Sequence, residues 1–274
     1  GLRLDQLVAL RTGLSRRAAR EALKLGGVQV DQRRVRVAGR IPALGAEIRV
    51  AVDDALGALP DLELPVVFED PSLLVLNKPA GLPTQGTQAS DRHDLLALLN
   101  RQRPGQSFIL CHRLDQGTSG VLVLSKSKAS DLGRQFQERT LRKVYLARVS
   151  REVPACVVEA PIGRLAQAKP ARFGCEGELM DPKPSRTTFR PATEEEREGL
   201  VPGHWVICEP HTGRTHQIRV HLASLGAPVV GDGLYGGAPD SQLWLHAWKL
   251  ALRHPITQQE VAFVAEPTRF LEPR

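Results

Sequence analysis

Apolar positions along the first fifty residues change their period partway. Leu4, Leu7, Val8 and Leu10, then Ala19, Ala22 and Leu23, recur at three- and four-residue spacing, which predicts two short helices with one packing face each. Ser15 stands where a side-chain oxygen can cap the second helix, and the Gly26-Gly27 pair closes it near Leu25. Beyond it the period falls to two. Val28-Gln29-Val30, Arg34-Val35-Arg36-Val37 and residues 48–52 read as strands, the middle one sending both valines inward and both arginines outward. Residues 53–64, acidic and broken by Gly57 and Pro60, read as a linker between a domain of residues 1–52 and one of residues 65–274.

The texture changes from Pro65. Strand-like runs at 66–68, 73–76, 121–124, 144–149 and 205–208 alternate with loops, and helices are predicted at 93–101, 130–140 and 216–225. Residues 163–203, rich in Pro, Gly and charge, are expected as exposed hairpins and loops. The fold class is therefore α+β: a small α/β domain, then a mixed domain with mainly antiparallel sheet.

Charge sharpens this picture. Residues 1–50 hold eleven Lys or Arg against Asp5, Glu21, Asp31 and Glu47, a surplus of seven that equals the whole formal charge of +7, because the remaining 26 basic and 26 acidic residues cancel. A cationic module at one end of a neutral chain is how a phosphate-binding domain looks. At helical spacing Arg16, Arg20 and Lys24 share one face of the second helix, with Arg17 beside them. No stretch approaches the roughly 18 apolar residues of a membrane span, and no charged-then-apolar leader opens the sequence. Cys111, Cys156, Cys175 and Cys208 are scattered, which fits reduced thiols in a cytoplasm better than a disulfide framework.

One segment carries candidate chemistry. In His112-Arg113-Leu114-Asp115, followed by Gln116-Gly117-Thr118-Ser119-Gly120 and four apolar residues, an extended backbone projects Arg113 and Asp115 to one side and Leu114 to the core. By itself this is also how a turn-capping Asp with a paired Arg would look. His211, His216 and His221 invite a metal reading, but residues five apart on a helix are rotated by about 500°, so neighbours diverge by about 140° and share no face. No metal is expected. Neither a dinucleotide fingerprint nor a Walker loop is present, so no nucleotide cofactor is expected either.

The first fifty residues, with L-R-L-D-Q-L, G-L-S-R-R-A-A-R-E-A-L, G-G-V-Q-V-D and G-A-E-I-R-V, resemble the S-four RNA-binding domain, although Asp31-Gln32 replaces its usual Asn-Gly. The segment H-R-L-D-x-x-T-S-G is similar to the catalytic motif of RluA-type RNA pseudouridine synthases. Further matches follow the order of that family: Asn77-Lys78-Pro79-Ala80-Gly81-Leu82, Lys143-Val144-Tyr145-Leu146-Ala147, residues 213–222, Gly231-Asp232-x-x-Tyr235-Gly236 and Leu245-His246-Ala247.

The resemblance implies isomerisation of a uridine already in RNA, without metal or cofactor. It gives Asp115 the role of the essential carboxylate, attacking sugar or base or removing a sugar proton. Arg214 is expected to hold that carboxylate charged, and the ring of Tyr145 to pack on the base while its hydroxyl assists proton transfer. Arg113 is expected to fill the place of the extruded uridine, whose removal from a helix costs a few kcal/mol. Contacts to RNA are expected from His112, Lys143 and His216, and a packing role near the base pocket from Ile218 and Leu222. Structured RNA is the expected partner, ribosomal RNA ahead of transfer RNA, acted on by a cytoplasmic monomer. The alternative is a non-catalytic RNA-binding or ribosome-assembly factor on the same scaffold.

Overall fold

The structure, a computed structural model, describes residues 1–52, 62–127, 131–168 and 172–272, so most of the expected linker lies outside the described residues. The chain divides into two compact units, one of residues 1–63 with 82–106, the other of residues 64–81 with 107–274.

In the first unit, helices α1 (Leu4–Thr12) and α2 (Arg16–Leu25) pack on strands β1 (Val28–Val30), β2 (Arg33–Arg34) and β3 (Ile48–Val50), and α3 (Leu95–Gln102) belongs to the same unit. Ser15 Oγ accepts the Ala18 N–H at 3.1 Å, and Gly26 ends α2 at φ +89°. Leu4, Val8, Ala19, Ala22, Leu23, Val28, Val30 and Val35 form the core. The expected alternation past Arg34 fails: Val35 is buried, but β2 stops at Arg34 and Val37 is 65% exposed. The arginines are spent on the chain itself. Arg34 donates to the Gly26, Thr87 and Gln88 carbonyls, and Arg36 pairs with Asp91.

The second unit is built on a ten-stranded sheet. Its strands are β4 (Val66–Glu69), β5 (Leu73–Lys78), β6 (Ile109–Leu110), β7 (Ser119–Ser125), β8 (Arg142–Val149), β9 (Cys156–Glu159), β13 (Arg186–Pro191), β14 (His204–Pro210), β15 (Leu245–Arg253) and β16 (Glu260–Val264). The order is β4-β5-β7-β15-β8-β14-β13-β9, with β6 on β7 and β16 on β15. Among the described strands β7–β15 is the parallel pairing, and the rest are antiparallel. A separate small sheet holds β10 (Ile162–Leu165), β11 (Phe173–Gly174) and β12 (Leu179–Lys183). Helices α4 (Leu132–Glu138), α5 (Glu194–Arg197) and α6 (Gln217–Ser224) complete the unit.

Every residue of β7 is buried, which suits a continuous apolar run covered on both faces. Gly120 is required where β7 meets β15: a Cβ there would stand 2.2 Å from the Ala247 carbonyl oxygen. The expectation of exposed hairpins over 163–203 holds for β12, which is mostly exposed, but not for the start of β10, where Gly163 is buried, nor for β13, which lies between β9 and β14 with Thr187 and Phe189 buried. Its run Thr-Thr-Phe carries a strand pattern that the surrounding Pro and charge obscure.

Candidate active site

Three pieces of backbone converge on one cavity of about 360 Å³ in the second unit: the loop before β7, the middle of β8 and the segment leading into α6. The loop is clamped to the end of β5. Gly81 N–H and Lys78 Nζ both donate to the Gln116 carbonyl, at 2.8 and 3.3 Å, and Gln116 Nε2 returns a bond to the Gly81 carbonyl. Asp115, held in the turn closed by Thr118 N–H to its carbonyl, faces the cavity. Tyr145 faces it from β8, flanked in register by Cys208 of β14 and Ala247 of β15.

Gln217 fixes the third piece. Buried at the start of α6, it accepts from Arg214 N–H and Thr212 Oγ1, and donates to the Arg186 carbonyl and Thr187 Oγ1. His216 caps the helix in a left-handed conformation, φ +57°, which turns its ring toward Asp115, Nε2 to Oδ2 being 3.8 Å. Its Nδ1 shares a hydrogen bond with the Tyr235 hydroxyl at 2.8 Å. One turn on, Arg219 Nη1 lies 3.4 Å from Asp115 Oδ2. Arg219 is itself locked by a two-point pair to the buried Asp232, at 2.7 and 2.8 Å, and its guanidinium lies over the Tyr235 ring.

Arg214 also lines the cavity, but its Nε donates to the Pro184 carbonyl, so the guanidinium on Asp115 is Arg219 and not Arg214 as expected. The reason is where the helix begins: Arg214 precedes α6, whereas Arg219 sits on its inner face. Arg113, His112, Lys143, His216 and Ile218 line the cavity with Asp115 and Tyr145. Leu222 does not; at 0% exposure it sits within the hydrophobic core. His112 is also less a surface contact than expected. Its Nε2 accepts the Val123 N–H, its ring stacks on Phe136, and burial, with Lys143 adding to it, holds its pKa down at about 3.

Sequence reasoning gave no role to Arg219, Asp232, Tyr235, Phe136 or Arg139, though the first three lie in motifs it had matched. In the first unit, Arg16 and Arg20 pair with the buried Asp5, while Arg17 and Lys24 are exposed.

Burial sets the protonation of the surroundings. It raises the Tyr145 phenol, with the Asp115 and Cys208 charges adding to the shift, so the hydroxyl keeps its proton. It lowers His216, against the pull of Asp115. It lowers Lys78 to about 7, again opposed by Asp115, and Lys143 to about 8, where Arg139 contributes further. Burial also opposes the charge on Arg219, but the Asp232 pair and Asp115 outweigh it and raise that group. The cavity thus offers a carboxylate beside a fixed guanidinium, a neutral imidazole and a protonated phenol. Among the described residues no group of three His, Cys, Asp or Glu is placed to hold a metal ion.

The model of the RNA pseudouridylate synthase family matches residues 72–224, and that of the S4 domain matches residues 2–48. Ribosomal large subunit pseudouridine synthase D of Nitrosomonas europaea is 34% identical over 94% of this chain and 79% of its own length. The dual-specificity RNA pseudouridine synthase RluA of Vibrio parahaemolyticus is 37% identical over 69% of this chain and 78% of its own. The solved structure of human RNA pseudouridylate synthase domain containing 1 superposes with a TM-score of 0.62 at 33% identity, over 76% of this chain and 85% of that one. With a family match across more than half of its length, the chain belongs to the RNA pseudouridylate synthases, isomerases, and carries an S4 domain ahead of the synthase domain.

Proposed function

We propose that the chain converts uridine in structured RNA to pseudouridine, with Asp115 as the essential carboxylate. In this isomerisation the bond between ribose carbon one and base nitrogen one breaks, uracil turns, and carbon five joins the sugar. The proton leaving carbon five is balanced by one gained at nitrogen one. The observation that carries the reading is the placement of Asp115 against Arg219 in a cavity that Tyr145 also lines. Its volume, about 360 Å³, is of the size of small-ligand sites.

Within this reading Arg219, rather than Arg214, is the guanidinium that positions Asp115. Tyr145 packs on the base, and Arg113, exposed at the rim, takes the place of the extruded nucleotide. Lys143 and Arg214 receive phosphates. Ribosomal RNA is the favoured substrate, since the relative from Nitrosomonas europaea is named for the large ribosomal subunit. The test is to incubate purified protein with ribosomal and transfer RNA and assay pseudouridine, with Asp115→Ala as control. Product with the wild type alone supports the reading. Binding without product by both proteins would leave only a non-catalytic RNA-binding factor.

A further inference from the structure

Helix α4 ends in an unusual way. Arg139 closes it in the left-handed region, φ +59° and ψ +33°, with its N–H on the Gln135 carbonyl. At such a position glycine is the residue that fits without strain, and asparagine the next. Here the position carries a long, exposed cation instead. The guanidinium lines the same cavity as Asp115 and, among the described residues, makes no ion pair or side-chain hydrogen bond. Lys143 lines the same cavity, and there Arg139 works against the charge on Lys143, second only to burial. Lys143 Nζ is oriented by the Thr212 carbonyl at 3.2 Å. Two cations that line one cavity and oppose each other's charge repel until an anion arrives.

We infer that Arg139 and Lys143 form a phosphate subsite that grips a phosphodiester group next to the target uridine. This rests on the reading of the cavity as a uridine site, and nothing in the matched motifs assigns Arg139. A planar guanidinium offers two parallel donors to one phosphate, and the neighbouring ammonium adds a point charge.

The test uses the full chain in an Asp115→Ala background, so that binding is read without turnover. Binding of a uridine-rich single-stranded RNA oligonucleotide is titrated against salt by fluorescence anisotropy for Arg139, Arg139→Gln, Arg139→Gly and Arg139→Lys. Arg139→Gln and Arg139→Gly are expected to weaken binding about tenfold and to lower the salt slope by about 0.7, the value of one lost single-strand phosphate contact. Arg139→Lys is expected to restore most of both. Arg139→Gly is expected to melt no lower than its parent, because glycine relieves the left-handed strain. Unchanged affinity and slope in the Gln variant, or a fall in melting temperature that accounts for the loss, would overturn the subsite. In the Asp115 chain, Arg139→Gln is expected to raise KM with kcat nearly unchanged. Failure of the chain with Asp115 intact to form any pseudouridine would overturn the enzymatic reading, whereas the anisotropy result stands by itself.

Discussion

At the scale of single residues, the chemistry turns on which arginine meets Asp115. Arg219 is fixed by two hydrogen bonds to a buried carboxylate, so its charge is in place before any substrate arrives, and such preorganised groups carry large rate effects. Arg219→Gln is therefore expected to cut single-turnover pseudouridine formation by on the order of 10² to 10³, and Arg214→Gln by about tenfold or less, mainly through RNA binding. The opposite ranking would restore Arg214 to the carboxylate. That Asp115 and Tyr145 come to line one cavity was legible because their motif spacing is narrow. The partner arginine was not, since both candidates lie in one short stretch and only the start of α6 at His216 decides which side chain turns inward. The Asp31-Gln32 turn makes a similar point. Both residues take positive φ, 49° and 65°, at a hairpin where Asn-Gly fits best. Here Asp31 is held instead by reciprocal bonds, its Oδ1 accepting the Glu47 N–H and its own N–H reaching the Glu47 carbonyl.

Among the elements, β7, which follows the Asp115 loop, and β15, which pairs with β8, are tied by a buried histidine. His246 bonds Ser119 through Nδ1 at 2.8 Å and the Ala265 carbonyl through Nε2 at 2.8 Å, and burial lowers its pKa to about 4. Above the unfolded value near 6.5 both states are neutral and the contribution of this residue is complete. As pH falls from 6.5 toward 4 the unfolded chain takes up the proton first, so stability drops by up to about 1.4 kcal/mol per pH unit. His246→Gln is expected to lose one proton's worth of that slope in urea titrations between pH 6.5 and 4. An unaltered slope would show that the residue does not stay neutral. The central strands were readable from continuous apolar runs. What escaped the pattern were elements set by distant partners: β13, and the end of β2, where Arg34 and Arg36 turn to residues 87–91 more than fifty positions away.

For the whole molecule, charge separates two tasks: the cationic surplus lies in the first fifty residues, and the carboxylate site lies in the second unit. The surplus is partly organised from within, because buried Asp5 holds Arg3, Arg16 and Arg20. Arg17 is exposed, and Lys24, also exposed, lies 3.8 Å from Glu21. Replacing Arg17 and Lys24 together by glutamine is expected to lower the salt slope of RNA binding by about 1.4 to 1.8 while leaving bound-state turnover intact. A slope that does not move would remove the first unit from RNA binding. The charge division was plain in the sequence, whereas the grouping of residues 82–106 with the first unit was not, because it depends on contacts such as Arg36 with Asp91. The account as a whole stands on one carboxyl group, and its most direct test is single-turnover assay of Asp115→Asn, which keeps size and shape and removes the charge. The prediction is RNA bound as tightly as by the parent with no pseudouridine formed; product at the parental rate would contradict it.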